Sequence, residues 1–207
     1  MKKRCVIITA FSDCDISDIY DRRDGDYIVC ADGGIVFAQK SGIVPDCVLG
    51  DLDSVDEVGK EYNFERFPKE KDDTDTMLCL KHGLSKGYSD FLIVGGVGGR
   101  LDHTVANLQT LAYAKEHGAE AELRSRDAVC RIIFGSESIE IEKKDGFYLS
   151  LFAYSDNCDG VSVSGTKYEL DRGKLDNTFP LGVSNEFVDE KAKVSLEKGK
   201  LLIILAR

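Results

Sequence analysis

The sequence predicts an α/β + all-β protein: an N-terminal layered α/β domain with a mostly parallel sheet, followed by a C-terminal β-sandwich domain. Three observations carry this reading. Residues 1–124 alternate short, continuously apolar runs with longer stretches of helical period. From residue 125 to 207 the helical period is lost, and strand-like runs follow one another between turn signals. The texture changes at 123–127 with no Gly/Ser- or Pro-rich linker, so a short, stiff junction is expected between domains 1–124 and 125–207.

In chain order, Cys5-Val6-Ile7-Ile8, Tyr27-Ile28-Val29-Cys30, Cys47-Val48-Leu49 and Phe91-Leu92-Ile93-Val94 are apolar at consecutive positions, as strands covered on both faces require. An extended stretch gives way to a loop at Pro68. Residues 74–86 place Met77, Leu78, Lys81 and Leu84 at helical spacing. Residues 101–117 put Leu101, Val105, Leu108, Leu111 and Ala112 on one broad face, with Gly118 suited to the C-terminal cap. Residues 119–123 read as one more strand. In the second half, strands are expected at 129–134, 138–141, 147–153, 161–163, 187–188, 192–196 and 201–205. Glu197-Lys198-Gly199-Lys200 is expected to close a hairpin between the last two, and the polar stretch 171–181 to form a mobile loop.

Composition narrows the function. Hydrophobic residues make up 43% and charged residues 31% of the 207, which is ordinary for a globular chain. No run of about 18 apolar residues occurs, so no helical membrane span is expected. Met1-Lys2-Lys3-Arg4 is not followed by an apolar leader, and a cytoplasmic location is expected. The balance of 27 basic to 37 acidic residues, without a basic stripe, excludes a nucleic-acid partner. The seven cysteines show neither CxxC pairs nor zinc spacing and read as buried free thiols in a reducing compartment.

Four segments carry chemistry. Cys30-Ala31-Asp32-Gly33-Gly34 puts an acid and two glycines at a strand's carboxyl end, where open sheets bind ligands; a plain tight turn is the alternative. Asp51-Leu52-Asp53-Ser54 follows the next strand, and carboxylates two apart can face one magnesium ion; Asp53 or Ser54 could instead cap a helix beginning near Val55. In Lys69-Glu70-Lys71-Asp72-Asp73-Thr74-Asp75 three aspartates crowd a helix start, with capping able to explain one or two; Lys69 and Lys71 could neutralise phosphate oxygens. Gly95-Gly96-Val97-Gly98-Gly99-Arg100-Leu101-Asp102-His103 opens the long helix; its N–H groups suit a phosphate and Arg100 a bidentate grip, although it is neither a Walker A motif nor a dinucleotide fingerprint. Asp102 could cap, bind metal or accept a proton, and His103 could pack or act. The four segments follow successive strands of one sheet, so they converge on one crevice, which favours magnesium-dependent phosphoryl transfer or phosphate hydrolysis.

These segments, in this order, resemble those of the thiamine pyrophosphokinase (thiamine diphosphokinase) family. The family pattern is an ADGG turn, a PD…GD-x-DS segment, a KD-x-TD segment and a GG…GGR-x-DH segment, met here at 31–34, 45–54, 71–75 and 95–103. Gly165-Thr166-Lys167-Tyr168-Glu169-Leu170 and Ser184-Asn185-Glu186 add a fifth match in the β-rich half. The resemblance implies transfer of the β,γ-pyrophosphoryl unit of ATP to the hydroxyl of thiamine, releasing AMP, with Mg2+. It implies a homodimer whose thiamine lies between one subunit's α/β domain and the partner's β domain. It assigns magnesium and phosphate handling to Asp51, Asp53, Asp72, Asp75 and Asp102 with Arg100, and substrate contacts to Asp32, Gly33, Gly34, Lys69, Lys71, Gly96, Gly98, Gly99, His103, Tyr168, Ser184 and Asn185. Tyr168 stands where the family usually has Trp, and Thr166 where Leu is common. An aromatic at 168 suits stacking on a flat cationic ring.

Overall fold

The computed structural model describes residues 3–50, 64–66 (backbone only) and 73–207. They fall into two compact units, Met1–Arg126 and Asp127–Arg207.

In the first unit the parallel strands are β1 (Cys5–Ile8), β2 (Tyr27–Ala31), β3 (Cys47–Gly50), β4 (Phe64–Arg66), β5 (Asp90–Val94) and β6 (Glu120–Arg124). Their order is β6-β5-β1-β2-β3-β4, with every pair parallel. All four residues of β1 and of β3 are buried, as the unbroken apolar runs require. Among the described residues this unit holds the α-helices α1 (Gly34–Lys40), α2 (Asp75–Ser85) and α3 (Leu101–Glu116) and a 3-10 turn at Ile16–Asp18. α1 was not legible in the sequence: its seven residues are too short to show a period. Gly118, at φ 75°, follows the last turn of α3 as the expected left-handed cap.

The buried faces of both longer helices differ from those expected. α2 buries Thr76, Cys79, Leu80 and Gly83, while Met77, Leu78, Lys81 and Leu84 stay partly exposed. The helix lies so close to the sheet that a Cβ on Gly83 would meet the Phe91 ring at 2.5 Å and the Cys5 sulfur at 3.0 Å. Small residues permit that approach, so bulk does not mark the inner face. α3 buries Asn107, Thr110, Leu111, Ala112 and Ala114, whereas Leu101 and Val105 are 76% and 49% exposed. Its first turns stand clear of the core.

At the amino ends of β1 and β2 a buried polar cluster ties the sheet to the following loop. Arg4 donates to both carboxylate oxygens of Asp26, at 3.0 and 2.6 Å, and to the Asp21 carbonyl at 2.9 Å. The Tyr20 hydroxyl and the Arg23 N–H also donate to Asp26, at 2.8 and 2.9 Å.

The second unit holds β7 (Ala128–Phe134), β8 (Glu137–Glu142), β9 (Tyr148–Ala153), β10 (Asn157–Ser164), β11 (Leu170–Asp176), β12 (Gly182–Asn185), β13 (Lys191–Leu196) and β14 (Lys200–Ala206). Antiparallel strands in the orders β12-β9-β14-β7 and β11-β10-β13-β8 form the two layers. Alternate residues point inward; along β13, Ala192, Val194 and Leu196 join Leu149, Leu151, Val161, Val163, Leu201, Ile203 and Leu205 in one core. The α/β plus β-sandwich fold class stands.

Three details of this unit depart from expectation. Residues 197–200 do not close a hairpin: β13 pairs with β8 and β10, and β14 with β7 and β9, so this turn carries the chain from one sheet to the other. The stretch 171–181 is not a loop throughout, because Leu170–Asp176 is β11, paired with β10. Its polarity reflects an outward-facing edge strand. Residues 187–188 form no strand; Phe187 makes a single bridge with Thr166.

Candidate active site

The strand order sets the place of the site. From β1 the chain moves outward through β2 and β3 to β4, then returns to β5 on the other side of β1 and continues to β6. The switch point therefore lies between β1 and β5, and ligands bind beyond the carboxyl ends there. The Gly95–Gly99 loop occupies this position. Gly95, Gly96, Gly98 and Gly99 all have φ between 61° and 90°, a region costly for other residues. A Cβ on Gly95 would fall 2.3 Å from the Phe11 carbonyl oxygen, and one on Gly99 would fall 3.0 Å from the Phe11 ring. The Gly96 N–H donates to the Phe11 carbonyl at 2.7 Å, and the Thr9 hydroxyl bonds Phe11 and Val94 carbonyls at 2.9 and 3.1 Å. The Thr104 hydroxyl accepts from the Gly98 N–H at 3.2 Å. Backbone N–H groups at the start of the sixteen-residue α3 thus sit in a loop held in shape by its own chain.

The turn after β2 adjoins the same end of the sheet. Asp32 takes a left-handed φ of 44°, and its N–H donates to the Leu49 carbonyl at 2.7 Å. Gly50 must be glycine, since a Cβ there would fall 2.9 Å from the Asp32 Cα. A Cβ on Gly34 would fall 2.2 Å from the Ile8 carbonyl oxygen, and one on Gly33 would lie 3.7 Å from the Ala10 Cβ. Asp32, Gly33 and Gly34 are therefore brought against the ends of β1 and β3.

At the start of α2 the cap is Thr74, whose hydroxyl accepts from the Met77 N–H at 3.2 Å, so no described aspartate is needed as the cap. Asp75 is the first helical residue and half-buried. Asp73 is engaged elsewhere: Lys81 grips both of its oxygens, at 2.7 and 2.8 Å, while lying 5.3 Å from the centre of the Tyr113 ring. Asp51, Asp53, Ser54, Lys69, Lys71 and Asp72 lie outside the described residues. Among the described residues no three His, Cys, Asp or Glu side chains form a group able to hold a metal ion.

Arg100 and Asp102 form an exposed bidentate pair, with contacts of 3.2 and 2.5 Å. The Arg100 bond and the His103 N–H hold the Asp102 carboxyl below its usual range, and Asp102 in turn raises Arg100. Arg100 is thus committed to a neighbour two residues away in this arrangement, and the His103 ring is exposed.

In the second unit, Tyr168 and Asn185 meet at one end of the sandwich. They line a cavity of about 190 Å³ with Leu149, Leu151, Leu175 and Val183. Tyr168 is 66% exposed. Ser184 has a φ of 59°, and its N–H donates to the Ser150 hydroxyl at 3.0 Å.

Sequence reasoning missed Thr9, Phe11, Lys81 and Asn107. The last left no distinct signal, since the same helix also carries Gln109, Thr104 and Thr110.

Residues 22–123 match the family model for the thiamin pyrophosphokinase catalytic domain, and 136–201 match that for the thiamin pyrophosphokinase vitamin B1 binding domain. The chain is 29% identical over 180 residues to thiamine pyrophosphokinase of Bacillus subtilis (strain 168), covering 84% of each chain. The crystal structure of thiamine pyrophosphokinase from Bacillus subtilis superposes with a TM-score of 0.88 at 25% identity, covering 99% of both chains. That of thiamin pyrophosphokinase from Candida albicans shares the fold, with a TM-score of 0.75 at 16% identity, covering 99% of this chain and 89% of its own. The two family models, met in order along the chain, define a transferase of the kinase type. The chain belongs to the thiamin pyrophosphokinase family and is an enzyme of that class. No helix among the described residues is long and apolar enough to cross a membrane.

Proposed function

We propose that the protein is a cytoplasmic, homodimeric thiamine diphosphokinase that transfers pyrophosphate from ATP to the hydroxyl of thiamine. The observation that carries this reading is the glycine loop 95–99 locked onto the end of β1 at the switch point, inside the stretch that matches the catalytic-domain model. The Gly95, Gly96 and Gly98 N–H groups shape the loop through Arg124, Phe11 and Thr104, so the phosphates of ATP fall to the N-terminal end of α3 that the loop opens, and Asp32 with Gly33 and Gly34 borders the same crevice. Lys69 and Lys71 add positive charge from the next segment.

The donor set Asp51, Asp53, Asp72, Asp75 and Asp102 is entirely carboxylate, the hard oxygen chemistry that suits magnesium. The ion, when bound, supplies charge neutralisation on the phosphates. The thiamine oxygen attacks the β phosphorus, the bond from that phosphorus to the oxygen bridging to the α phosphorus breaks, and AMP departs. The hydroxyl proton passes to a carboxylate. Were that carboxylate Asp102, Arg100 would make it a weak base by holding it below its usual range, so positioning and charge carry more of the rate than proton abstraction.

Thiamine is assigned to the second unit, with its ring against Tyr168. The match to the vitamin B1 binding model and the apolar cavity beside Tyr168 support this. Exposed Phe179, Leu181, Val183 and Val188 at 64, 57, 45 and 67% support a subunit contact there. The test is incubation with ATP, magnesium and thiamine, resolving nucleotides and thiamine species. Equimolar AMP and thiamine diphosphate are expected, and neither without magnesium. ATP breakdown with thiamine unchanged would overturn the reading. Sedimentation at micromolar protein checks the dimer.

A further inference from the structure

We infer that Asn185 is a positioning residue: its carboxamide fixes the backbone of Tyr168 at the cavity mouth and so sets the affinity for the acceptor without touching it. The inference rests on the proposed placement of thiamine against Tyr168.

An asparagine amide has two donor hydrogens and one oxygen. The Asn185 oxygen accepts from the Tyr168 N–H at 3.0 Å. Its nitrogen donates to the Tyr168 carbonyl at 2.7 Å and to the Thr166 hydroxyl at 3.0 Å. Facing the N–H and C=O of one residue fixes which end of the amide is which, because a flipped amide would set donor against donor and acceptor against acceptor. Both hydrogens are thus used within the chain. The side chain acts as a short length of strand pairing, seventeen residues from its partner.

The anchor behind it is firm. Asn185 ends β12 and stands opposite Leu149 of β9. Thr166 is only 3% exposed. The adjoining turn is pinned as well: the Gly165 N–H donates to Glu169 at 3.0 Å, and the Lys167 N–H donates to the Glu186 carbonyl at 2.9 Å. The Tyr168 ring, in contrast, is largely exposed, so its position follows from its backbone. From side chains that backbone is held by Asn185 at 3.0 and 2.7 Å and, by a longer bond, by the Thr166 hydroxyl, which donates to the Tyr168 carbonyl at 3.4 Å. They lie near water, so their loss is compensated by hydration and should displace the ring without unfolding the sandwich.

The test is steady-state kinetics on Tyr168→Ala, Asn185→Ala, the double variant and Thr166→Val, with melting temperatures. Tyr168→Ala should raise the KM for thiamine about tenfold, the scale of one lost aromatic–cation contact. Asn185→Ala should raise it about fivefold with kcat and the KM for ATP within about twofold, and should add nothing in the Tyr168→Ala background. Thr166→Val, which removes the bond from Asn185 and the longer one to the Tyr168 carbonyl and keeps the shape, should give a smaller rise of the same kind and serves if Asn185→Ala fails to fold. Multiplying effects in the double variant would show direct contact with thiamine and overturn the inference. So would an unchanged KM in Asn185→Ala beside a raised one in Tyr168→Ala, which leaves the placement of thiamine intact. An unchanged KM in Tyr168→Ala would remove that placement, and the inference with it.

Discussion

The side-chain nitrogen of Asn107, buried in α3, donates to the carbonyl oxygen of Gly96 at 2.8 Å. A Cβ on Gly96 would fall 2.4 Å from that nitrogen, so glycine and amide fit only each other. The helix that carries the loop's far end therefore also grips its near end. Asn107→Leu should strand the Gly96 carbonyl, cost about 1–3 kcal/mol in urea unfolding, and raise the KM for ATP. Unaltered ATP kinetics in a folded variant would show that the loop keeps its shape without this bond.

Arg100 keeps Asp102 ionised to lower pH than an ordinary aspartate. If the carboxylate is the working form, activity falls as Asp102 is protonated on the acid side. Arg100→Ala lets the Asp102 pKa rise toward its usual value, so the acid limb of the kcat profile should move to higher pH. A limb at the same pH, with kcat alone reduced, would mean that the limb belongs to another group.

Asp73 and Asp75 should separate cleanly. Asp73 is neutralised by Lys81, whereas Asp75 is the first residue of α2 and is proposed to face the metal. Asp75→Ala should lower kcat by about a hundredfold or more, the scale of lost charge stabilisation at a transition state. Asp73→Asn should cost less, acting through the placement of its segment. Equal losses would place Asp73 in direct contact with substrate or metal.

The Arg4–Asp26 pair is a stability element at the opposite, amino end of the strands of the same unit, with side chains 5% and 2% exposed. Burial alone would raise the Asp26 carboxyl, but bonds from Arg4, the Arg23 N–H and Tyr20 outweigh it and hold the group low. Its contribution is complete above the unfolded aspartate pKa of about 3.9 and is lost as pH falls through the lower folded value. Arg4→Met leaves a buried carboxylate without its cation and should cost about 3–5 kcal/mol at neutral pH. Denaturant titrations at pH 7 and pH 3 check both statements; a loss below about 1 kcal/mol at pH 7 would mean that water replaces Arg4.

The legible parts of the fold were those in which one residue type dictates one environment. β1, β3 and β5 announced themselves because a strand covered on both faces must be apolar throughout. α3 was found as an element, yet its inner face was misjudged, since Asn107 and Thr110 lie inside and Leu101 outside. The cause is function: the helix start stands beside the glycine loop, and its inner polar side chain holds that loop. β11 was hidden because an edge strand such as Leu-Asp-Arg-Gly-Lys-Leu-Asp carries the charges of a loop. Glycines of the site were legible from their clustering. Asn185 was singled out, but from sequence its bonds could not be assigned to the backbone of Tyr168 rather than to a ligand.

The seven cysteines form no disulfide, and Cys5, Cys30, Cys47, Cys79, Cys130 and Cys158 are buried. Burial pushes the Cys5 thiol up to about 12 and raises Cys30 and Cys79 as well, so at neutral pH these sulfurs are neither ionised nor reachable. An electrophile can reach them only through openings of the fold, and its rate of attack then counts those openings. Because four of the six lie in the first unit and two in the second, alkylation would time the breathing of each unit from within.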